Sequence, residues 1–100
     1  MSFAVKRVGS LLLTRGVNDM VSDNSKFADF VIRALSRFHN GDWGTVCQED
    51  WQANNDSMVD GSRIIGAYEQ KGMPKIWIIA EAENDDGLRE AVTVLFPEEY

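Results

Sequence analysis

Carboxylates come closest to forming a chemical motif in this sequence, and they gather in two segments. The first segment carries Glu49, Asp50, Asp56 and Asp60, and the second carries Glu83, Asp85, Asp86 and Glu90. Paired carboxylates can bind a cation or transfer protons. Neither segment has the regular ligand spacing of a calcium loop, and no lysine or histidine stands where it would tune a carboxylate pKa. We therefore expect no metal and no other cofactor, and a carboxylate-based, metal-dependent small enzyme or regulator remains the alternative.

Nucleophilic catalysis has little support in the remaining residues. His39 is the only histidine, and Cys47 is the only cysteine. A histidine at a helix end favours a capping role, and an isolated cysteine is ordinarily a small buried residue. The glycines of residues 41–44 have the wrong spacing for a phosphate-binding loop or a dinucleotide fingerprint. We predict that the protein is not an enzyme.

The net charge of −6 is unevenly distributed along the chain. Residues 1–50 carry six acids and six bases, whereas residues 51–100 carry ten acids and four bases. Lys26, Arg33 and Arg37 form a small basic stripe, but a stripe of that size neutralises few phosphates. We therefore expect no direct binding to nucleic acid. The acidic segments are expected to bind a protein with a basic, nucleic-acid-binding surface.

Two tryptophans accompany the first acidic segment. Trp43 precedes it and Trp51 lies within it. Each tryptophan either closes an edge of the core or stands at an interface, where this residue type often dominates the binding energy. An exposed tryptophan within an acidic rim would suit a basic surface on another protein. Both tryptophans therefore join the eight acids as candidate partner-binding residues.

Length and composition limit the class of protein. A chain of 100 residues, 44% apolar and 26% charged, predicts one folded domain over residues 1–100. A single cysteine cannot form an internal disulfide, which favours the cytoplasm. The apolar run at residues 11–13 is too short for a signal peptide or a membrane span, so we expect no membrane association.

Apolar spacing predicts the element order β-α-α-β-β-β. Strands are expected at residues 8–14, 63–68, 75–81 and 91–96, with a brief helical turn near residues 18–19. The clearest helix has an apolar stripe, a cap from residues 23–25 and an end at residues 39–41. The stripe consists of Phe27, Phe30, Val31, Ala34, Leu35 and Phe38. A second helix is expected over residues 46–59, with Thr45 and Gln48 as a capping box and Gly61 as its end. These elements predict an α+β fold in which two helices cover one face of a four-stranded, mainly antiparallel sheet.

Four segments also resemble a known family. Residues 13–18, 40–44, 75–79 and 94–100 look like parts of the small "plasmid-related" proteins that bacterial plasmids, integrative elements and phages carry. The resemblance implies an accessory protein of a mobile element, in the cytoplasm of a bacterial host. Accessory proteins of this size often block host defence, and they include anti-CRISPR and anti-restriction inhibitors. The motifs involved are typical of a fold and not of catalysis.

Charge and resemblance together lead to one expected function and two alternatives. We expect a non-enzymatic, anti-CRISPR-like inhibitor that occupies a basic nucleic-acid groove, with carboxylates standing in for phosphates. The first alternative is the metal-dependent enzyme or regulator. The second is a structural or self-associating domain, such as a homodimer, whose acidity only maintains solubility.

Overall fold

A computed structural model describes residues 8–100, and it confirms the α+β class. The strands are β1 (Val8–Leu13), β2 (Ile64–Tyr68), β3 (Ile76–Ala80) and β4 (Arg89–Leu95). The helices are α1 (Arg15–Asp23), α2 (Ser25–His39) and α3 (Gln48–Asp60), and a short 3₁₀ turn covers Pro97–Glu99. Within these residues, no helix combines the length and the apolar character needed to cross a bilayer.

The prediction of two helices is wrong in number, because α1 forms where the pattern indicates only a brief turn. The Thr14 side chain caps α1 by accepting a hydrogen bond from the N–H of Val17. Val17 is fully buried, and Met20 and Val21 pack beside it at helical spacing. Gly16 makes this helix hard to predict from the sequence, because glycine is a poor helix former.

The sheet has the strand order β1-β4-β3-β2. Strands β2, β3 and β4 form the predicted antiparallel meander, whereas β1 pairs with β4 in parallel. After β1, the three helices carry the chain to β2 at the opposite edge of the sheet. The antiparallel meander then returns through β3 to β4, which runs beside β1 in the same direction. Strands β3 and β4 are therefore central, and β1 and β2 form the two edges.

The core lies between α2 and one face of the sheet. Asn24 begins α2, since its Oδ1 accepts a hydrogen bond from the Phe27 N–H at 3.1 Å. The stripe is buried as predicted apart from Leu35, which is partly buried. It packs against Ile78 and Val94, which are both fully buried in the central strands. Full burial of each phenylalanine stabilises the fold by about 2–3 kcal/mol.

Helix α3 begins at Gln48, two residues later than predicted, and the expected capping box is absent. Cys47 occupies the cap position without a side-chain hydrogen bond. The Thr45 hydroxyl is engaged elsewhere, because it donates to the Glu69 carboxylate at 3.1 Å and to the Ala67 carbonyl at 3.4 Å. The helix ends at Gly61 as predicted, with a left-handed φ of 82°.

The outer edge of β2 is closed by the residues around α3. The side-chain amide of Asn54 donates to the Ile65 carbonyl at 2.8 Å and accepts from the Ile65 N–H at 3.3 Å. Two residues on, the Ala67 N–H donates to Trp43 O at 3.1 Å, and Ala67 O accepts from Thr45 N at 2.7 Å. These four hydrogen bonds occupy the outward main-chain groups of β2 and hold α3 beside the sheet.

Candidate functional site

Three of the predicted acids share the solvent face of α3. Because successive helical residues are rotated by about 100°, Glu49, Asp56 and Asp60 fall within about 40° of one another. All three side chains are exposed. We call them the acidic stripe, which extends about 16 Å along the helix axis. Asp50 is also exposed, but it lies about 100° away from the middle of the stripe.

The second acidic segment forms the turn between β3 and β4, at residues 83–86, which we call the acidic turn. Asn84 orders it, because its Oδ1 accepts hydrogen bonds from the N–H groups of Asp86 at 2.9 Å and Leu88 at 3.0 Å. Gly87 completes the reversal with a left-handed φ of 75°. Asp85 and Asp86 are exposed at the tip.

The acidic stripe and the acidic turn meet at the end of α3. The Glu83 N–H donates to the Gly61 carbonyl at 2.8 Å. A Cβ on Gly61 would stand 3.1 Å from the Glu83 carboxyl carbon, so the glutamate side chain lies directly against this residue. Asp60 precedes Gly61 in the chain, and the charges of Asp60 and Glu83 both act on the same residue, Arg89. The two segments form one acidic surface, with this junction at its centre.

Asp60 remains ionised to lower pH than an ordinary aspartate. Ser62 hydrogen-bonds to the Asp60 carboxylate, with 2.8 Å between the Ser62 nitrogen and Oδ1, and this contact lowers the pKa of Asp60. The charge of Arg89 acts in the same direction. The Asp60 carboxylate therefore keeps its negative charge into acidic solution.

A buried arginine lies under the junction and contacts both sides of it. No local pattern in the sequence predicts this arginine as part of the site. Arg89 is only 2% exposed. It donates to the carbonyls of Ser57 at 3.1 Å, Ser62 at 2.7 Å and Glu81 at 2.9 Å, and it lies 3.6 Å from the Glu83 carboxylate. Burial lowers the pKa of Arg89, while the nearby carboxylates oppose that shift. The one available signal is that Arg89 is the only base after Lys75.

Arg89 explains how α3 tolerates acids at its C-terminal end. The last carbonyls of a helix have no partner within the helix and carry partial negative charge, which disfavours Asp60 at that position. The Ser57 carbonyl, in this last turn, accepts from the Gly61 N–H and also from the guanidinium, which adds a positive charge there. The buried positive charge of Arg89 therefore offsets part of the repulsion between Asp60 and Glu83 at the junction.

Of the two predicted tryptophans, only one reaches the surface. Trp43 is fully buried, its ring centroid lies 5.3 Å from that of Phe38, and its Nε1 donates to Asn55 Oδ1 at 3.0 Å. The prediction of Trp43 as a surface anchor is therefore wrong. Trp51 is partly buried, packs against the core and borders a shallow depression beside Glu49. Trp51 lies about 160° around the helix from the middle of the acidic stripe, so it is not part of that stripe.

Glu90 is not part of the acidic surface. Neighbouring side chains of a strand point to opposite faces of the sheet. The Arg89 side chain lies beneath α3, so the Glu90 side chain points to the other face. Glu90 is exposed, and its carbonyl lies against Gly9 of β1, on the far side of β4. The structure thus brings six of the eight predicted acids together at the stripe and the turn, and leaves Asp50 and Glu90 outside this surface.

The structure offers no ligand set for the metal-dependent alternative in the part of the chain that it describes. No group of three histidine, cysteine, aspartate or glutamate side chains is close enough to hold a metal ion within residues 8–100. The prediction that Cys47 is buried is also wrong, since it is exposed at the start of α3. Its exposure follows from its cap position, where the chain turns outward into the helix.

No family model, no curated protein and no solved structure matches this chain. The resemblance to plasmid-related proteins therefore stays a prediction. The acidic surface that the fold assembles is therefore the main indication of function.

Proposed function

We propose that this chain is a non-enzymatic acidic protein of a bacterial mobile element that inhibits a host nucleic-acid-targeting defence protein, in the manner of an anti-CRISPR. The acidic surface occupies a groove lined by lysine and arginine, and its carboxylates take the places of phosphates. The observation that carries the proposal is the contact of Gly61 with Glu83, which joins the stripe to the turn.

Most of the acidic surface has no internal neutralising partner. The ion pairs formed within residues 8–100 are Arg37 with Asp42, Lys75 with Glu69, and Arg89 with Glu83. Only Glu83, among the carboxylates of the acidic surface, takes part in one of them. The other carboxylates are exposed and free to meet cations from outside.

The spacing of these charges favours a shared partner. Asp56 and Asp60 are four residues apart on one helix face, so their side chains are neighbours. That separation is shorter than the Debye length of about 8 Å at physiological ionic strength, and their potentials therefore add. A basic groove relieves the repulsion among them, which gives the surface a reason to associate and makes the complex sensitive to salt.

The proposal is tested by neutralising the surface without changing its shape. One variant combines Glu49→Gln, Asp56→Asn, Asp85→Asn and Asp86→Asn. A matched control combines Asp19→Asn, Asp23→Asn, Asp29→Asn and Glu98→Gln, which removes the same number of exposed charges elsewhere. Tagged forms of the wild type and both variants are used for capture from a bacterial lysate at low and high salt, followed by mass spectrometry.

We expect the wild type and the control to capture a nucleic-acid-binding defence protein at low salt, and the surface variant to lose it. The added chain should also displace DNA or RNA from that purified protein. Equal capture by the surface variant and the wild type would reject this surface. Capture of a protein whose nucleic-acid binding is unaffected would reject the inhibitory mechanism.

A further inference from the structure

The two edge strands of the sheet differ in the hydrogen bonding of their outer main-chain groups within residues 8–100. The outer edge of β2 is closed by Asn54 and by the main chain of residues 43–45. Strand β1 forms the opposite edge, and within residues 8–100 it pairs only with β4. Natural proteins usually protect such an edge, because its unpaired main chain is a template for another strand.

The main-chain groups on this open edge can be identified. The Thr14 N–H bonds to the Val94 carbonyl at 3.1 Å, so Thr14 faces β4. Alternate residues of a parallel pair face the same way, so Ser10 and Leu12 also face β4. The N–H and C=O groups of Gly9, Leu11 and Leu13 therefore point away from β4, which gives three donors and three acceptors.

Strand β1 lacks the charged and proline residues that commonly discourage pairing. Residues 8–13 contain no charged residue and no proline. Leu11 is 57% exposed and Leu12 is 49% exposed, although both lie in a regular strand. An uncharged, apolar edge of this kind favours association with a second strand.

An uncharged strand edge can pair with an identical edge, and the acids of the stripe lie too far from β1 to oppose a second copy of this chain as the partner. The acidic stripe lies on α3 beside β2, and three strand spacings of about 4.8 Å, or about 14 Å, separate β2 from β1. Two copies that meet at β1 therefore place their acidic stripes at opposite ends of the assembly. That distance exceeds the Debye length of about 8 Å on each side of the contact, so screening removes most of the repulsion.

We propose that β1 pairs with β1 of a second copy, antiparallel, about a two-fold axis at Leu11. In this register Leu11 faces its own symmetry mate, and Gly9 faces Leu13 in both directions. All three donors and all three acceptors on each edge are then used. The result is a continuous eight-stranded sheet whose two acidic surfaces both remain free, so the inference does not depend on the proposed function.

A disulfide test reads out this register directly. Hydrogen-bonded antiparallel partners have Cα atoms about 5.5 Å apart, which lies within the range that a disulfide spans. Leu11→Cys, in a chain that also carries Cys47→Ser, should form a covalent dimer under mild oxidation. Ile32→Cys in the same background is the control, because Ile32 is 64% exposed on α2.

The mass in solution provides the second test. Sedimentation velocity should show a species of twice 11.2 kDa whose fraction rises with wild-type concentration up to about 1 mM. Leu11→Lys places two like charges at the axis and should abolish this species, whereas Ile32→Lys should not. Circular dichroism of each variant establishes that it folds.

Four outcomes would overturn the proposal. One is a wild-type monomer throughout that concentration range. Another is a dimer that survives Leu11→Lys, because its interface would then lie elsewhere. A third is cross-linking of Ile32→Cys as readily as Leu11→Cys. The last is a chain that stays monomeric alone and pairs through β1 only with a different protein.

Discussion

The guanidinium of Arg89 donates a hydrogen bond to the carbonyl of Ser57 at 3.1 Å, and this contact ties the C-terminal turn of α3 to the start of β4. The same side chain satisfies two further carbonyls while it is almost completely buried. A charged side chain in such a position acts as the centre of a polar network.

Arg89→Met should therefore destabilise the protein strongly. The change removes the Arg89 donor from the Ser62 and Glu81 carbonyls and leaves the Ser57 carbonyl with only the Gly61 N–H. It also removes the positive charge beneath Asp60 and Glu83. We expect a loss of about 3–5 kcal/mol in the free energy of unfolding, measured by urea denaturation. Lys71→Met, at an exposed position, should change it by less than about 0.5 kcal/mol. A loss below about 1 kcal/mol for Arg89→Met would contradict this role.

Asn54→Asp tests the closure of the β2 edge. The carboxylate has nearly the same shape as the amide but cannot donate to the Ile65 carbonyl, so we expect a loss of about 2–3 kcal/mol and greater light scattering. Asn55→Asp is the matched control, since Asn55 uses only its Oδ1 to accept from Trp43 and an aspartate can still accept. Equal thermal midpoints for the two variants would show that the Asn54 amide does not hold the edge.

Alkaline pH should destabilise the protein through Tyr68. Its hydroxyl donates to the Asp42 carbonyl at 2.7 Å, and burial, reinforced by the Asp42 charge, raises the pKa of Tyr68 far above its ordinary value. The folded state keeps the proton while the unfolded state releases it, so this stability is complete below the unfolded pKa of about 10 and decreases as the pH rises above it.

Tyr68→Phe should remove this pH dependence and should cost about 1 kcal/mol at neutral pH, because the hydrogen bond is lost. Urea midpoints measured from neutral to strongly alkaline pH provide the comparison. Tyr100→Phe serves as the control, since Tyr100 is 66% exposed. The assignment fails if the alkaline decrease persists unchanged in Tyr68→Phe.

Acidic pH should act through Glu99. Its carboxylate accepts hydrogen bonds from the Thr14 hydroxyl at 2.6 Å, the Phe96 N–H at 2.8 Å and the Gly16 N–H at 3.3 Å. These contacts, with that from Thr14 the largest, lower the pKa of Glu99. The stability they supply is present above the unfolded pKa of about 4.3 and is lost as the pH falls through the lower folded value.

Glu99→Gln should therefore be less stable than wild type at neutral pH and should approach it as the solution becomes acidic. The difference stays below about 1 kcal/mol, because the carboxylate is exposed and screened by water. Glu98→Gln, an exposed neighbour, should follow the wild-type curve. Parallel curves for Glu99→Gln and wild type down to the acid transition would argue against these hydrogen bonds.

Local patterns predict the parts of this fold that depend on neighbouring residues. The spacing from Phe27 to Phe38 defines the buried face of α2, and Gly61 marks the end of α3, because periodicity and left-handed glycine are local properties. The meander of β2, β3 and β4 also follows from short turns between adjacent strands. Helix α1 is missed because its cap residue, Thr14, belongs to a segment that resembles a strand end.

Such local patterns cannot predict features that depend on residues far apart in the sequence. Nothing near residues 8–13 indicates that β1 lies beside β4 in parallel, since the pairing is decided by how the helices cross the sheet. The burial of Arg89 has no local signal, because arginine is seldom buried without partners. Its partners come from α3, from the loop after α3 and from the residue that follows β3. Trp43 is ambiguous until Phe38 and Asn55 are seen around it. The acidic surface likewise exists only because Gly61 meets Glu83.

The pairing of Val8 with Arg89 also sets the order in which the molecule can assemble. Helices and the meander form from contacts close in sequence, but β1 has to wait for the last strand to be made before it gains its hydrogen bonds. Contacts between the two ends of a chain carry the largest loop-closure cost and slow folding. On the ribosome, β1 emerges well before β4, so its leucines lack the hydrogen-bonded neighbour that β4 provides until β4 has been made.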